Sequence, residues 1–307
     1  MLSAGRTLAV DAETLRVVEA MESRGVRPIL LRGAAFADLL ECAAGERSYV
    51  DTDLLIEPAA FSVAEKALRQ LGYHESELER LFTEGRPQHA HTWISERGAV
   101  DLHRTLIGVP LEPERVWHVL RGRTERLTLL GRDVEVLTRT GRAFALALHA
   151  AQHPGDAGVQ EDVRRAVALL PSSTWQEAAS LSTQLDAEAS FAAGLRMTPS
   201  GAELADGLLL EKDPRSARLG RGSDAFHLAQ GLRWFGQQQG LKAKLRYVRT
   251  KALPHRMQMQ RRSTLARRGR VGLALAHVYR WLTLAAYLPQ AVRVLIRLGR
   301  ERSRTRT

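Results

Sequence analysis

Asp51-Thr52-Asp53-Leu54-Leu55-Ile56 sets two carboxylates at i and i+2 and then runs into an apolar stretch. On a β-strand, residues two apart point to the same face, with Cα atoms about 6.6 Å apart. Two carboxylates so placed can grip a divalent cation, while Leu54 and Ile56 serve the core. A second acidic stretch, Val100-Asp101-Leu102-His103, reads as a neighbouring strand. Three carboxylates brought together by two strands repel one another, and a cation relieves that cost. Hard oxygen donors of this kind suit Mg²⁺ and phosphoryl chemistry.

Upstream, Pro28-Ile29-Leu30-Leu31-Arg32-Gly33-Ala34-Ala35 reads as a short buried strand, a glycine turn and a helix start. Glycine lets the backbone come close to a phosphate, and a helix N-terminus presents free N–H groups to it. Arg47 stands four residues before Asp51, placed to pair with phosphate or with the acids.

These stretches, taken in order, resemble a known family: the uncharacterised bacterial nucleotidyltransferases of the polymerase-beta-type superfamily. The matching residues are Arg32-Gly33, Arg47 to Leu55, Leu71-Gly72-Tyr73, Val100 to His103 and Leu146 to His153. The resemblance covers roughly residues 15 to 240. It departs from the family at Arg32, where the family carries Lys; a planar guanidinium replaces a point ammonium. What the resemblance implies is metal-dependent transfer of a nucleotidyl group from a nucleoside triphosphate. Asp51, Asp53 and Asp101 are then the catalytic and metal-holding residues, with Mg²⁺ or Mn²⁺ as cofactor. Arg32, Gly33, Arg47 and His103 are the nucleotide and phosphate contacts. Asp101 also stands as the group that takes the proton of the attacking hydroxyl.

Each residue also has a plainer reading. Asp101 can pair with Arg104 or Arg47, and His103 can be a structural histidine. His149 and His153 lie one helical turn apart, as helix-borne metal ligands do, but no Glu follows His149, so the zinc-protease signature is absent. A packed His149 and a surface His153 is the plainer account. Asp162 and Arg165 read as a solvated helix face.

The chain has 307 residues, 44% of them hydrophobic, which is ample for a core and for more than one domain. The lone Cys42 excludes an intrachain disulfide and a cysteine metal cluster and is compatible with a reducing cytosol. The first residues lack the apolar core of a signal peptide. A net charge of +11 hides an asymmetry. Residues 241–307 hold 18 Lys and Arg against one acid, Glu301, a net +17; the preceding 240 residues therefore carry −6. Such a tail favours anionic partners, a membrane surface or a polyanion.

The pattern predicts helices over residues 11–24, 34–43 and 60–72, and strands over 28–32 and 50–56. Hairpins follow around Glu96-Arg97-Gly98 and Gly131-Arg132-Asp133. From Thr138, a candidate helix cap, the pattern turns helical, with further helices near 159–170 and 173–185. Residues 211–224 read as a loop. In the tail, Leu275, Val278, Leu282 and Ala285 share one helical face, and Val292, Leu295 and Ile296 share another beyond Pro289. A membrane span needs about 20 apolar residues, so no transmembrane span is expected. The tail helices pack on the body or on another subunit, or lie on a membrane with Arg293, Arg297, Arg300 and Arg302 at the headgroups.

The expected fold is α/β (α+β), a small mixed sheet with flanking helices of nucleotidyltransferase type. Its domains run 1–137 (catalytic), 138–240 (helical) and 241–307 (basic amphipathic tail). The expected function moves a nucleoside monophosphate from a nucleoside triphosphate to an unknown hydroxyl or phosphate acceptor. A non-catalytic nucleotide-binding or scaffold protein that keeps the fold is the alternative, and an enzyme that hydrolyses nucleotides or handles sugar phosphates is a third. The expected location is cytoplasmic, with peripheral membrane attachment through the tail.

Overall fold

The computed structural model describes residues 2–43, 45–76, 89–153 and 156–210, and, in the tail, 269, 271–279, 281, 282 and 285. The described residues up to 210 belong to one compact unit and those of the tail to a second.

The first unit opens with helix α1 (Leu2–Glu22), strand β1 (Ile29–Leu30), helix α2 (Ala34–Leu39) and strand β2 (Asp51–Leu55). Helix α3 (Phe61–Gln70) and strands β3 (His74–Glu75), β4 (Ala90–Ser95) and β5 (Gly98–His103) follow. Then come α4 (Pro113–Arg121) and the hairpin β6 (Thr124–Leu129) and β7 (Arg132–Leu137). Five helices close the unit: α5 (Arg139–Gln152), α6 (Ala157–Leu169), α7 (Ser172–Gln184), α8 (Glu188–Leu195) and α9 (Pro199–Gly207). The seven strands form one mixed sheet in the order β3-β4-β5-β2-β1-β7-β6, the α/β architecture expected. β2 runs parallel to β5, and β1 parallel to β7; the other pairs are antiparallel.

Strand alternation divides the core in two. Leu30, Leu54, Val100, Leu102 and Val136 face α1 and α3, packing with Val17, Met21, Phe61 and Leu68. Ile29, Leu55 and Leu137 face the later helices, packing with Phe144, Trp175 and Phe191. Thr52 fixes the sidedness of β2: its hydroxyl meets the Thr14 hydroxyl of α1 at 2.7 Å in the buried interior. By the period of two, Asp51 and Asp53 then point the other way, toward the face that carries α5.

Helix α5 is apolar almost all round. Residues 141–148 are buried, which marks a central helix rather than a surface one. Thr138 caps it, its side chain accepting from the Gly141 N–H at 3.4 Å. Arg142 is 4% exposed and ties α5 to α2 and β6. It donates to the Ala35 carbonyl at 3.1 Å, to Asp38 and to Glu125. On its far side α5 meets α8 at Gly194, where a Cβ would fall 1.8 Å from the Ala147 carbonyl oxygen. Only glycine permits that approach.

The elements differ from the sequence reading in specific ways. Helix α1 begins at Leu2 rather than near residue 11, and its Asp11 is held by the Tyr49 hydroxyl at 2.6 Å. β1 spans two residues, because it pairs only with the ends of β2 and β7. Helices α8 and α9, at eight and nine residues, show no clear apolar period; α4 does, with Val116, Val119 and Leu120 on one buried face, and the sequence reading left it unassigned. The loop expected at 211–224 and the tail face of Val292, Leu295 and Ile296 lie outside the described residues. In the tail unit, residues 271–279 are helical, and Val271, Leu275, Val278 and Leu282 are exposed. Among the described residues no helix is long and apolar enough to cross a membrane.

Gly194→Ala should unfold the protein at markedly lower urea concentration. Forcing a methyl against a backbone carbonyl costs roughly 3 kcal/mol or more. Unchanged stability in urea titration would show that α5 and α8 do not cross this closely.

Candidate active site

The acids come together through strand register. Asp53 of β2 lies opposite Asp101 of β5, and Asp51 lies opposite Ala99 on the same parallel pair. Asp101 and His103 share a face by the period of two, so Asp51, Asp53, Asp101 and His103 all look toward α5. Ligand atoms of Asp53, Asp101 and His103 lie within 4.8 Å of one another. Asp51, Asp101 and His103 line a cavity of about 340 Å³ together with Arg32, His89, His149 and His153. Leu31, Leu106, Ile107, Ala145 and Leu148 form its apolar part.

Asp53 is 2% exposed and is the best-held of the acids. Its Oδ1 accepts from His103 Nε2 at 2.8 Å and from Arg32 Nη2. Burial alone would push this carboxyl up; the hydrogen bond from His103 and the Arg32 charge overcome it and hold the group at about 2. Asp51 goes the other way. Burial and the negative charge of Asp53 raise it, against the partial relief that Arg32 gives. Two carboxylates two residues apart thus differ in basicity because one has its counter-ion in contact.

Arg32 has a second acceptor. Its Nη1 lies 2.9 Å from His149 Nδ1, and since a guanidinium only donates, Nδ1 is the acceptor and the ring proton sits on Nε2. Burial, then the Arg32 charge, lowers His149 to about 3, so it is neutral at physiological pH. The His149 ring stands 4.5 Å from that of His153 and 6.2 Å from that of Phe36. His149 lines the cavity and bonds Arg32, a contact the sequence reading did not foresee. Its spacing to His153 is visible in the chain, but its partner lies 117 residues away.

Gly33 makes the turn after Arg32, at φ 65° and ψ −117°. A Cβ there would press to 3.2 Å on the Tyr49 ring, so the turn needs glycine both for its dihedrals and for the close approach. Arg47 is engaged with its own surroundings. It pairs with Asp162 at 3.0 Å, donates to the Gly33 carbonyl at 3.4 Å and lies 5.5 Å over the Phe36 ring. Arg47 and Gly33 brace the turn and are not among the residues lining the cavity. Arg104 lies 4.0 Å over the Phe61 ring. The clustered donors, Asp53, Asp101 and His103, fit a divalent cation, since carboxylate oxygens predominate; Asp51 lines the cavity on the same face but stands outside that cluster.

Comparison with known proteins bears on this site. A family described as "Uncharacterised nucleotidyltransferase" matches residues 2–200. No match was found among the curated proteins. Among solved structures, the solution structure of the antibiotic-resistance factor ANT(2'')-Ia is similar over 58% of this chain and 93% of its own, at 14% identity and a TM-score of 0.43. A crystal structure of ANT(2'')-Ia with adenylyl-2''-tobramycin covers 64% of this chain and 97% of its own, at 13% identity and a TM-score of 0.36. A nucleotidyltransferase-like protein from Paracoccidioides brasiliensis covers 71% and 94%, at 14% identity and a TM-score of 0.36. Likenesses this distant say nothing of substrate.

The buried neutral His149 makes stability depend on pH. Unfolded, this histidine takes a proton as pH falls through about 6.5; folded, it resists until about 3. Its contribution is therefore complete above pH 6.5 and is lost as pH falls toward 3. His149→Gln should flatten the decline of unfolding free energy in the upper part of that window, measured by urea titration at stepped pH. An unchanged slope would mean that His149 is not held neutral.

Proposed function

This chain belongs to the family of uncharacterised nucleotidyltransferases, and from that premise we propose that its acidic cleft moves a nucleoside monophosphate from a nucleoside triphosphate to a hydroxyl or phosphate acceptor. The observation that carries the proposal is the pairing of Asp53 and Asp101 in register on adjacent parallel strands, with Asp51 on the same face. Asp51, Asp53 and Asp101 are the residues that hold Mg²⁺ or Mn²⁺ in this reading. When bound, the cation supplies charge stabilisation and orients the phosphates.

The remaining work falls to the chain. Arg32 lines the cavity and offers a fork of donors to phosphate oxygens. Gly33 and Arg47 hold the turn that aims Arg32, and His103 steadies Asp53. The acceptor hydroxyl attacks the α-phosphorus. A new P–O bond forms, the bond to the β-phosphate oxygen breaks, and pyrophosphate leaves. Asp101, half-buried and facing the cavity, takes the hydroxyl proton. In this reading residues 1–137 form the catalytic domain and residues 138–240 the helical domain, in which, among the described residues, α6, α7 and α8 pack against α5. ATP, CTP, GTP and UTP, each labelled and supplied with Mg²⁺ or Mn²⁺, should be screened for pyrophosphate release. One of them should turn over, and Asp53→Asn should lower that rate roughly a hundredfold or more while circular dichroism stays unchanged. Undiminished turnover in Asp53→Asn would remove the carboxylate from the mechanism. Nucleotide binding without turnover would favour the non-catalytic alternative.

The tail is the docking element in this reading. Its support is the net +17 over residues 241–307 together with the exposed stripe Val271, Leu275, Val278 and Leu282. An apolar stripe on a cationic segment suits an anionic membrane surface. The full-length protein should sediment with vesicles containing acidic lipid at low salt and release as salt approaches about 0.5 M, where screening is strong. Equal binding to neutral vesicles, or none to acidic ones, would contradict this.

A further inference from the structure

Arg32 follows directly on the last β1 hydrogen bond, in which the Leu31 N–H donates to the Asp53 carbonyl at 2.9 Å. That register sets Leu31 opposite Asp53; the chain leaves the strand at Arg32 and turns at Gly33, and there the guanidinium reaches the Asp53 carboxylate. The guanidinium then serves two acceptors with two different nitrogens: Nη2 donates to Asp53 Oδ1, and Nη1 to His149 Nδ1 at 2.9 Å. A planar fork can do this; a point ammonium cannot hold both in the same way. Asp53 is at the same time one of the residues whose ligand atoms gather within 4.8 Å. One carboxylate thus has two claimants. A guanidinium in contact with it and a divalent cation coordinated by it repel each other at a few ångströms in a poorly solvated cleft.

We infer that Arg32 is an internal counter-ion that competes with a divalent cation for Asp53, and that the phosphates of a bound nucleotide take over the guanidinium while His149 keeps its hold. This rests on the reading of Asp53 as a metal ligand. The coupling follows from satisfaction of charge. If Arg32 leaves Asp53 with no new anionic acceptor, a largely buried guanidinium keeps only the neutral His149 and no counter-charge, which is costly. Phosphate oxygens in the cavity that Arg32 lines supply that acceptor. Cation and nucleotide therefore strengthen each other's binding, and the coupling is reciprocal. His149 is a positioning residue: neutral and accepting at Nδ1, it keeps the fork near the cavity when Asp53 is released.

The test is Mn²⁺ affinity, measured by calorimetry on full-length protein without nucleotide. Arg32→Gln removes the competitor and should tighten Mn²⁺ binding about tenfold, roughly 1.4 kcal/mol. Arg104→Gln is the control for a general field effect: it removes a cation next to His103 in the chain that lies over the Phe61 ring rather than on Asp53, and should change affinity much less. Arg32→Gln binding Mn²⁺ no more tightly than wild type, or no more tightly than Arg104→Gln, overturns the inference and leaves the metal site standing. Asp53→Asn separates the two claims. If it binds Mn²⁺ as wild type does, the metal reading itself is wrong and the inference falls with it. A measurement on the unaltered chain guards against misfolded variants. The side-chain Nε–H resonance of Arg32, assigned by its loss in Arg32→Lys, should shift on addition of Mg²⁺ and shift again when inorganic tripolyphosphate is added. A resonance indifferent to Mg²⁺ would show that Arg32 yields nothing to the cation.

Discussion

Three carboxylates on one face of two adjacent strands, Asp51 and Asp101 lining a cleft and Asp53 buried, are the constraint on which the rest of this structure depends. Asp51, Asp53 and Asp101 are placed there by backbone register, not by side-chain choice, so the chain must find counter-charge for them. Part of it comes from Arg32 and from the His103 ring, both bonded to Asp53. Asp51 is raised first by its burial and then by the Asp53 charge, with partial relief from Arg32. A bound cation eases clustered carboxylates of this kind. Unequal contacts make Asp53 and Asp51 unlike: one is firmly ionised, the other more easily protonated.

The helical layer is built to hold this arrangement. Helix α5 carries His149 to Arg32 and is itself fixed at both sides. Arg142 fastens it to α2 and β6, and Gly194 lets α8 press directly on its backbone. Arg47, braced between Asp162 and the Gly33 carbonyl, ties the turn after Arg32 to α6. Positively charged side chains near the cleft thus divide into two kinds. Arg32 lines the cavity and bonds its residues, whereas Arg47 and Arg142 are committed to the framework.

Local chemistry was readable in the chain, and distant pairing was not. The i, i+2 acids, the two hairpins and the Thr138 cap follow from periods of two and from turn residues within a few positions. The parallel pairing of β2 with β5, which brings Asp53 opposite Asp101, has no local signal; only the acidic pattern of both strands hinted at it. The bond from Arg32 to His149 spans 117 residues, and that from Arg47 to Asp162 spans 115. Neither side chain carries a mark of its partner. Two short helices escaped for a related reason. Pro113–Arg121 and Glu188–Leu195 form because a prepared surface buries Val116, Leu120 and Phe191, and that surface is assembled from elsewhere in the chain.

The central claim is that the acids of β2 and β5 hold the cation of a nucleotidyl-transfer site. It is tested most directly by the anomalous signal of Mn²⁺ in crystals grown with a non-hydrolysable nucleoside triphosphate. The account predicts a peak at about 2.1 Å from carboxylate oxygens of Asp51, Asp53 and Asp101, with the phosphates beside it. A Mn²⁺ peak that touches none of these carboxylates, with the nucleotide bound outside the cleft, would contradict it.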